Sequence, residues 1–124
     1  MRWITVCALG ALLTTSHAEE RVDATLVVQV SFVAGFQHHE GNKVFDRLKV
    51  GDTLRLVRER RNTADSNAIR VEWAGHVLGY VPGSVNADLA RQMDFGNRLR
   101  ARVVRLSRHR DPDRRVEMEI YLPL

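Results

Sequence analysis

Apolar and polar residues alternate along several short stretches of this chain, and the period of two predicts β-strands with one face toward a core. Six stretches have this character or end at a strand breaker: residues 26–32, 54–58, 69–73, 77–81, 99–106 and 116–122. In the first, the apolar set is Leu26, Val28, Val30 and Phe32. The alternation slips near Val104, which predicts a β-bulge.

The sequence predicts one helix after the fourth strand. Leu89, Ala90 and Met93 recur at helical spacing, and Gly96 follows as an expected helix end. Either Ser84 or Asn86 is a suitable N-cap. Residues 36–49 read as an irregular connection in which Val44, Phe45 and Leu48 return to the core.

These elements predict a mainly β fold, a small β-barrel of about six strands with one or two short helices. Closing a sheet of short strands removes the edges that an open sheet would expose. The 124 residues suffice for one modest domain, and no internal repeat or linker marks a second.

The turn between the second and third strands is rich in polar side chains: Asn62, Asp65, Ser66 and Asn67. Such residues commonly bond the backbone of their own turn. Some of them could instead face a ligand, and the pattern alone leaves both interpretations open.

A longer motif surrounds this turn and resembles the HIRAN domain family over roughly residues 26–122. The matching positions are Gly35; Leu48, Gly51, Leu54, Leu56, Arg58 and Glu59; Asn62, Asp65, Asn67, Ala68, Ile69 and Val71; Gly75, Leu78, Gly79, Tyr80, Val81 and Pro82; and Leu89, Ala90, Asp94 and Gly96. The resemblance implies a modified oligonucleotide/oligosaccharide-binding (OB-like) barrel.

The resemblance also implies a ligand. HIRAN domains joined to Swi/Snf-type ATPases hold the 3′ end of single-stranded DNA, and the equivalent positions here are Gln37, His38, His39, Asn62, Asp65 and Tyr80. Asn62 and Asp65 stand where the family bonds the terminal nucleotide, and Tyr80 lines the same pocket. Gln37 replaces an expected arginine, and Gly83 replaces an expected lysine or arginine.

A second candidate feature is a basic patch around the last hairpin, predicted to contain Arg98, Arg100, Arg102, Arg108 and Arg110. Arginine's planar fork matches phosphate groups, so the patch is a plausible track for nucleic acid. Cross-strand pairing with Glu117 and Glu119 is the alternative explanation. The whole chain has a formal net charge of +4, which alone says little.

The first eighteen residues are predicted to be a secretory signal peptide rather than part of the domain. Arg2 provides a positive start, an apolar run follows, and small residues end the segment at Ala18. The run is shorter than the roughly 20 residues that a membrane span needs, so a retained anchor is less favoured. We therefore expect an exported protein, periplasmic or secreted, with residues 19–25 as a lead-in.

No catalytic or metal-binding motif is present, so we expect a binding module without a cofactor rather than an enzyme. His38 and His39 are adjacent on an extended segment and point apart, which makes them a poor chelating pair. Two hypotheses follow. One is binding of single-stranded nucleic acid; the other is an exported barrel that binds a glycan, a peptide or an envelope protein.

Overall fold

The computed structural model describes residues 24–124, and the predicted signal peptide lies outside the described residues. The strands are β1 (Thr25–Phe32), β2 (Thr53–Arg58), β3 (Ile69–Trp73), β4 (His76–Tyr80), β5 (Arg100–Leu106) and β6 (Val116–Pro123). The helices are α1 (Gly41–Val44) and α2 (Asn86–Asp94), with single 3₁₀ turns at Phe36–His38, Phe45–Arg47 and Pro112–Arg114. None of the helices in this part of the chain is long and apolar enough to cross a membrane.

All six strands form one antiparallel sheet in the order β1-β6-β5-β2-β3-β4. The mainly β, OB-like architecture is therefore confirmed. Full closure by a strand ladder is not seen. The two edges meet at one isolated bridge, where Ala34 N–H donates to Tyr80 O at 2.8 Å and Tyr80 N–H donates to Ala34 O at 2.9 Å.

Gly79 is the residue that allows this bridge to form. A Cβ at position 79 would lie 2.2 Å from the Ala34 carbonyl oxygen, and its φ of +154° disfavours other residues. The edge of β4 can therefore approach the end of β1 only because residue 79 has no side chain.

The core lies between the curved faces of the sheet. Ile69 and Val71 of β3, and Met118 and Ile120 of β6, are fully buried, as the alternation predicts. Phe36 is also fully buried, packing edge-on against Phe45 with ring centroids 6.1 Å apart. The connection expected to be irregular thus contains α1 and two 3₁₀ turns that carry core side chains.

The predicted apolar face of β1 is wrong at two positions, although Val28 packs against the core as expected. Leu26 is 51% exposed and Val30 is 48% exposed. A register shift between Val27 and Gln29 breaks the alternation, and β1 pairs only with β6. The shift accounts for Val30, because a one-residue slip reverses the faces of the residues that follow it, whereas Leu26 precedes the shift and lies near the exposed start of the strand. The predicted bulge in β5 is confirmed between Val103 and Arg105.

The predicted cap of α2 is also wrong. The N-cap residue is Val85, and no side chain caps the helix. Asn86 is the first helical residue, is only 2% exposed, and donates through Nδ2 to Asp65 Oδ2 at 2.7 Å. Its side chain points away from its own helix because it holds the polar turn instead.

Candidate ligand-binding site

A cavity of about 360 Å³ opens where the end of β1, the polar turn and the end of β4 meet. Its volume lies near the lower end of the roughly 300–1,000 Å³ typical of small-ligand pockets. The lining residues are Ala34, Gly35, Asn62, Ala64, Asp65, Ala68, Tyr80, Val81 and Gly83. The structure thus brings together three of the residues singled out by sequence, Asn62, Asp65 and Tyr80.

The turn folds around the Asn62 side chain. Asn62 Oδ1 accepts from the backbone N–H of Ala64 at 2.9 Å and of Asp65 at 3.1 Å. These bonds fix the turn from the inside, as asparagine commonly does. Asn62 Nδ2 donates to Glu59 Oε1 at 3.1 Å and has a second hydrogen for another partner.

Asp65 is held from two sides. Oδ1 accepts from Asn67 N–H at 2.9 Å, while Oδ2 accepts from Asn86 Nδ2 at 2.7 Å. An ionised carboxylate offers about four lone-pair positions, so two remain for a donor inside the cavity. Gly83 adds open space here, since a Cβ on it would still lie 3.8 Å from Asp65 Oδ2. Asp65 is therefore both ordered and able to accept from a ligand.

Glu59 organises the wall behind Tyr80. Its carboxylate accepts from Tyr80 Oη at 2.9 and 3.2 Å, from Asn62 Nδ2, and from Arg70 Nη1, which also forms an ion pair with it. Partial burial favours a raised pKa for Glu59, but the hydrogen bonds from Asn62, Tyr80 and Arg70 outweigh it, and the net pKa is lowered. Burial and the bond to Glu59 raise the pKa of Tyr80.

One residue of the histidine pair packs against Tyr80, and the other is exposed to solvent. The rings of His39 and Tyr80 are 5.5 Å apart at their centroids and inclined by 56°. His38 and Gln37 are exposed, and Gln37 Nε2 lies 3.2 Å from His38 Nε2. None of these three residues lines the cavity, and only His39 packs against a residue that does, Tyr80.

The basic patch predicted around the last hairpin is not gathered beside the cavity. Arg102 bonds Glu119 at 3.1 Å and lies over the Tyr121 ring, and Arg100 borders the same depression. Arg108 forms an ion pair with Asp46. Arg110 is exposed in the loop between β5 and β6, and Arg98 precedes β5 at a different depression. The pairing of Arg102 with Glu119 is the cross-strand alternative considered from the sequence.

Three contributors to the site were not assigned from the sequence. Glu59 was part of the quoted motif, but its spacing gave no sign that it would accept from three side chains. Asn86 was considered only as a helix cap. Asp113, in the distant loop, accepts from the Gly35 N–H at 2.9 Å and steadies the cavity rim. A contact across 78 positions has no local sequence signal.

No group of three or more His, Cys, Asp or Glu side chains within residues 24–124 is placed to hold a metal ion. The available chemistry is hydrogen bonding and stacking. Asn62 and Asp65 provide a donor and acceptors, Tyr80 provides an aromatic surface, and Ala64 and Val81 provide apolar contacts. A ligand with hydroxyl donors and a flat ring would satisfy this arrangement.

Comparison with known proteins identifies the family. The HIRAN domain model matches residues 26–124. The chain belongs to the HIRAN domain family. The resemblance found in its motifs is therefore confirmed, and no curated protein sequence matches the chain significantly.

Two solved structures share the fold of this HIRAN domain. A protein from Lactobacillus plantarum is similar at 29% identity and a TM-score of 0.69, covering 80% of this chain and 95% of that one. The HIRAN domain of human HLTF is similar at 19% identity and a TM-score of 0.56, covering 81% of this chain and 77% of that one. The second likeness, at such low identity, speaks for the fold alone.

Proposed function

We propose that this HIRAN domain is a binding module for single-stranded nucleic acid, and that its cavity receives a terminal nucleotide with a free 3′-hydroxyl. Family membership supports nucleic-acid binding in general. The finer claim rests on one observation: Asn62, Asp65 and Tyr80 line one cavity, and Asp65 keeps acceptor capacity there.

The chemistry of the terminus follows from Asp65. A carboxylate accepts hydrogen bonds but does not donate them, so it suits a hydroxyl that can donate. A terminal phosphate would instead place like charges together, at a substantial cost. Tyr80, against which His39 packs, offers an aromatic ring for a base, and base–aromatic stacking contributes about 1–3 kcal/mol per base.

The test compares oligonucleotides of identical sequence that end in a 3′-hydroxyl or a 3′-phosphate, by fluorescence anisotropy at low and moderate salt. A hydrogen bond to a charged group is worth about 1.5–3 kcal/mol, so we expect about a 10- to 150-fold preference for the free hydroxyl. The preference should disappear in Asp65→Asn.

The matched control is Asp88→Asn, because Asp88 is exposed and, within residues 24–124, pairs only with Arg91 along its own helix. This variant should keep the full preference. Equal affinity for both termini, or no binding at low salt, would contradict the proposal.

One observation supports a second candidate, an uncharged polyhydroxyl ligand such as a glycan. None of the nine residues lining the cavity is cationic, and Asp65 and Asn62 suit hydroxyl groups in general. Tight binding of neutral oligosaccharides, with no response to oligonucleotides, would favour this candidate over the first.

We also propose that residues 1–18 direct export and are removed before Glu19. The support is the sequence pattern of a positive start, an apolar run and small residues before the cut. N-terminal sequencing of the native protein, combined with cell fractionation, tests this. A first residue of Glu19 in an exported fraction is expected, and an intact Met1 in the cytoplasm would contradict it.

A further inference from the structure

Two depressions continue from the ligand cavity along the surface and are bordered by arginines. The first, of about 410 Å³, is lined by Arg58, Glu59, Arg60, Arg61 and Asn62. It shares Asn62 with the cavity. It shares Arg58 and Arg60 with a second depression of about 910 Å³. We call the two together the arginine furrow; its arginines are Arg55, Arg58, Arg60, Arg61 and Arg98.

The furrow has an apolar floor and a charged rim. Leu56 and Leu99 are buried beneath it, and Met93 of α2 contributes a half-buried side chain. Arg55 stands on the outer face of β2, because its neighbours in the strand, Leu54 and Leu56, point inward. Sugars and bases can cover such a floor while phosphates meet the rim.

Charge within the furrow is strongly unbalanced. Asp94 is the carboxylate that pairs with its arginines: Arg58 Nε bonds it at 3.1 Å and Arg60 Nε at 2.9 Å. Glu59 is engaged by Arg70 instead. Five guanidinium groups against one carboxylate leave a surplus of four positive charges in the furrow. Residues 24–124 hold seventeen basic and twelve acidic side chains, a surplus of five, so most of the excess positive charge of this part of the chain lies at the furrow.

Asp94 also orders part of the rim. It holds Arg58, whose side chain is only 13% exposed, and fixes Arg60 through its Nε alone, so the terminal nitrogens of Arg60 remain available. Arg55, Arg61 and Arg98 are exposed, and their side chains make no hydrogen bond or ion pair within the described part of the chain. Four guanidinium groups can therefore meet an anion directly.

We propose that the arginine furrow binds the phosphodiester backbone on the 5′ side of the nucleotide held in the cavity, so that the strand passes Asn62 and continues toward Arg98. This inference rests on the proposed function. The cavity lining contains no cation, so a bound strand must have its phosphates neutralised elsewhere. The furrow adjoins the cavity at Asn62, as the path of one strand through both requires.

The test separates the furrow from the cavity by ligand length. A dinucleotide with a free 3′-hydroxyl probes the cavity, and a twelve-nucleotide oligomer of the same 3′ sequence probes both. The furrow variant is Arg55→Gln/Arg61→Gln/Arg98→Gln. The matched control is Arg100→Gln/Arg105→Gln/Arg110→Gln, which removes three arginines that are also exposed and border other surfaces.

Each phosphate contact contributes about 0.7 to the salt slope for a single strand. When log Ka for the oligomer is plotted against log salt concentration, the slope for the furrow variant should therefore be smaller in magnitude than that for the parent protein by about 2. This corresponds to about 100-fold weaker binding at 0.1 M salt, taking the curves to meet near 1 M. Dinucleotide binding should stay unchanged, and the control variant should behave as the parent protein does.

The outcomes are distinguishable. If the dinucleotide binds but the furrow variant keeps the parent's oligomer affinity and slope, the furrow proposal fails and the cavity proposal stands. If the control variant loses as much as the furrow variant, the loss reflects net charge rather than contacts at the furrow, and the furrow proposal fails. If the oligomer binds through the furrow without any preference for a 3′-hydroxyl, the cavity proposal fails instead. Equal, furrow-dependent binding of polyglutamate would identify an acidic protein segment as the occupant and overturn the proposal.

Discussion

Glu59→Gln tests whether the wall of the cavity is held by charge. Glu59 accepts from Tyr80, Asn62 and Arg70, and its side chain is only 21% exposed. Glutamine has the same shape but presents an amide donor to one of these three donors. Hydrogen bonds to a charged group are worth about 1.5–3 kcal/mol, against about 0.5–1.5 for neutral ones. We expect the free energy of unfolding to fall by about 2 kcal/mol.

The stability difference between the parent protein and Glu59→Gln should depend on pH. The pKa of Glu59 is lowered from 4.5 in the folded state, so its stabilisation is present above about pH 4.5. It is lost as the pH falls through the native pKa, because the unfolded chain takes up the proton first. The gap between the parent and Glu59→Gln should therefore be full at pH 7 and should narrow steadily below pH 4.5.

Urea denaturation followed by circular dichroism from pH 7 to pH 2.5 measures this gap. A loss of about 2 kcal/mol would lower Tm by about 8–16 °C in a domain of this size. The control is Glu117→Gln, since the Glu117 side chain makes no hydrogen bond or ion pair within residues 24–124, and it should change stability by less than about 0.5 kcal/mol. A gap that is absent at pH 7, or equally large at pH 2.5, would refute the reasoning.

Two further substitutions test how the cavity walls are held. Asn86→Ala removes the buried donor to Asp65 and should lower the free energy of unfolding, measured by urea denaturation, by about 2 kcal/mol. The control Ser84→Ala should change it by less than about 0.5 kcal/mol, because the Ser84 side chain does not cap α2. A large loss in Ser84→Ala would restore the helix-cap interpretation. Gly79→Ala forces a Cβ against the opposing backbone and should lower the free energy of unfolding, measured by thermal unfolding, by more than about 3 kcal/mol. The control Gly51→Ala should lower it by only about 1–2 kcal/mol, because φ there is +95° but nothing lies within 4 Å of the added Cβ. Equal costs at the two glycines would show that the close approach is not needed.

The alternation of apolar and polar residues predicted which side chains of a regular strand are buried. The alternation in β3 and β6 placed Ile69, Val71, Met118 and Ile120 in the core, because neighbouring residues of a strand face opposite ways. It failed in β1, where the register shift after Val27 is invisible in the pattern of side chains. A bulge shifts the strand pairing by one residue, and no residue type in that stretch indicates where the shift occurs.

The candidate site was partly predictable for a similar reason. The turn motif identified Asn62 and Asp65, and the family resemblance connected them with Tyr80, which lines the same cavity. The roles of Glu59 and Asn86 could not be read from the sequence, because each reaches a partner about twenty positions away. Such contacts are set by how β2, β4 and α2 pack rather than by local propensity.

The grouping of the arginines shows the same limit. Nearness in sequence suggested one basic patch on the last hairpin. Arg100 and Arg102 do share one face of β5, but Arg98 precedes the strand, and Arg108 and Arg110 follow its bulge in the loop, so the five side chains border separate surfaces. Four of the arginines bordering the furrow come from β2 and the residues just after it, and the fifth, Arg98, comes from just before β5. Arg98 is far from the others in sequence but close in space, because β5 lies beside β2 in the sheet.

The most direct measurement of the central claim is a two-dimensional ¹H–¹⁵N NMR titration of the protein with a dinucleotide that ends in a 3′-hydroxyl. We expect the shift changes to concentrate at the backbone amides of Ala64, Asp65 and Tyr80 and at the side-chain amides of Asn62 and Asn86. The same dinucleotide with a 3′-phosphate should leave these signals nearly unmoved. Changes confined to other surfaces, or identical changes with both ligands, would contradict the account.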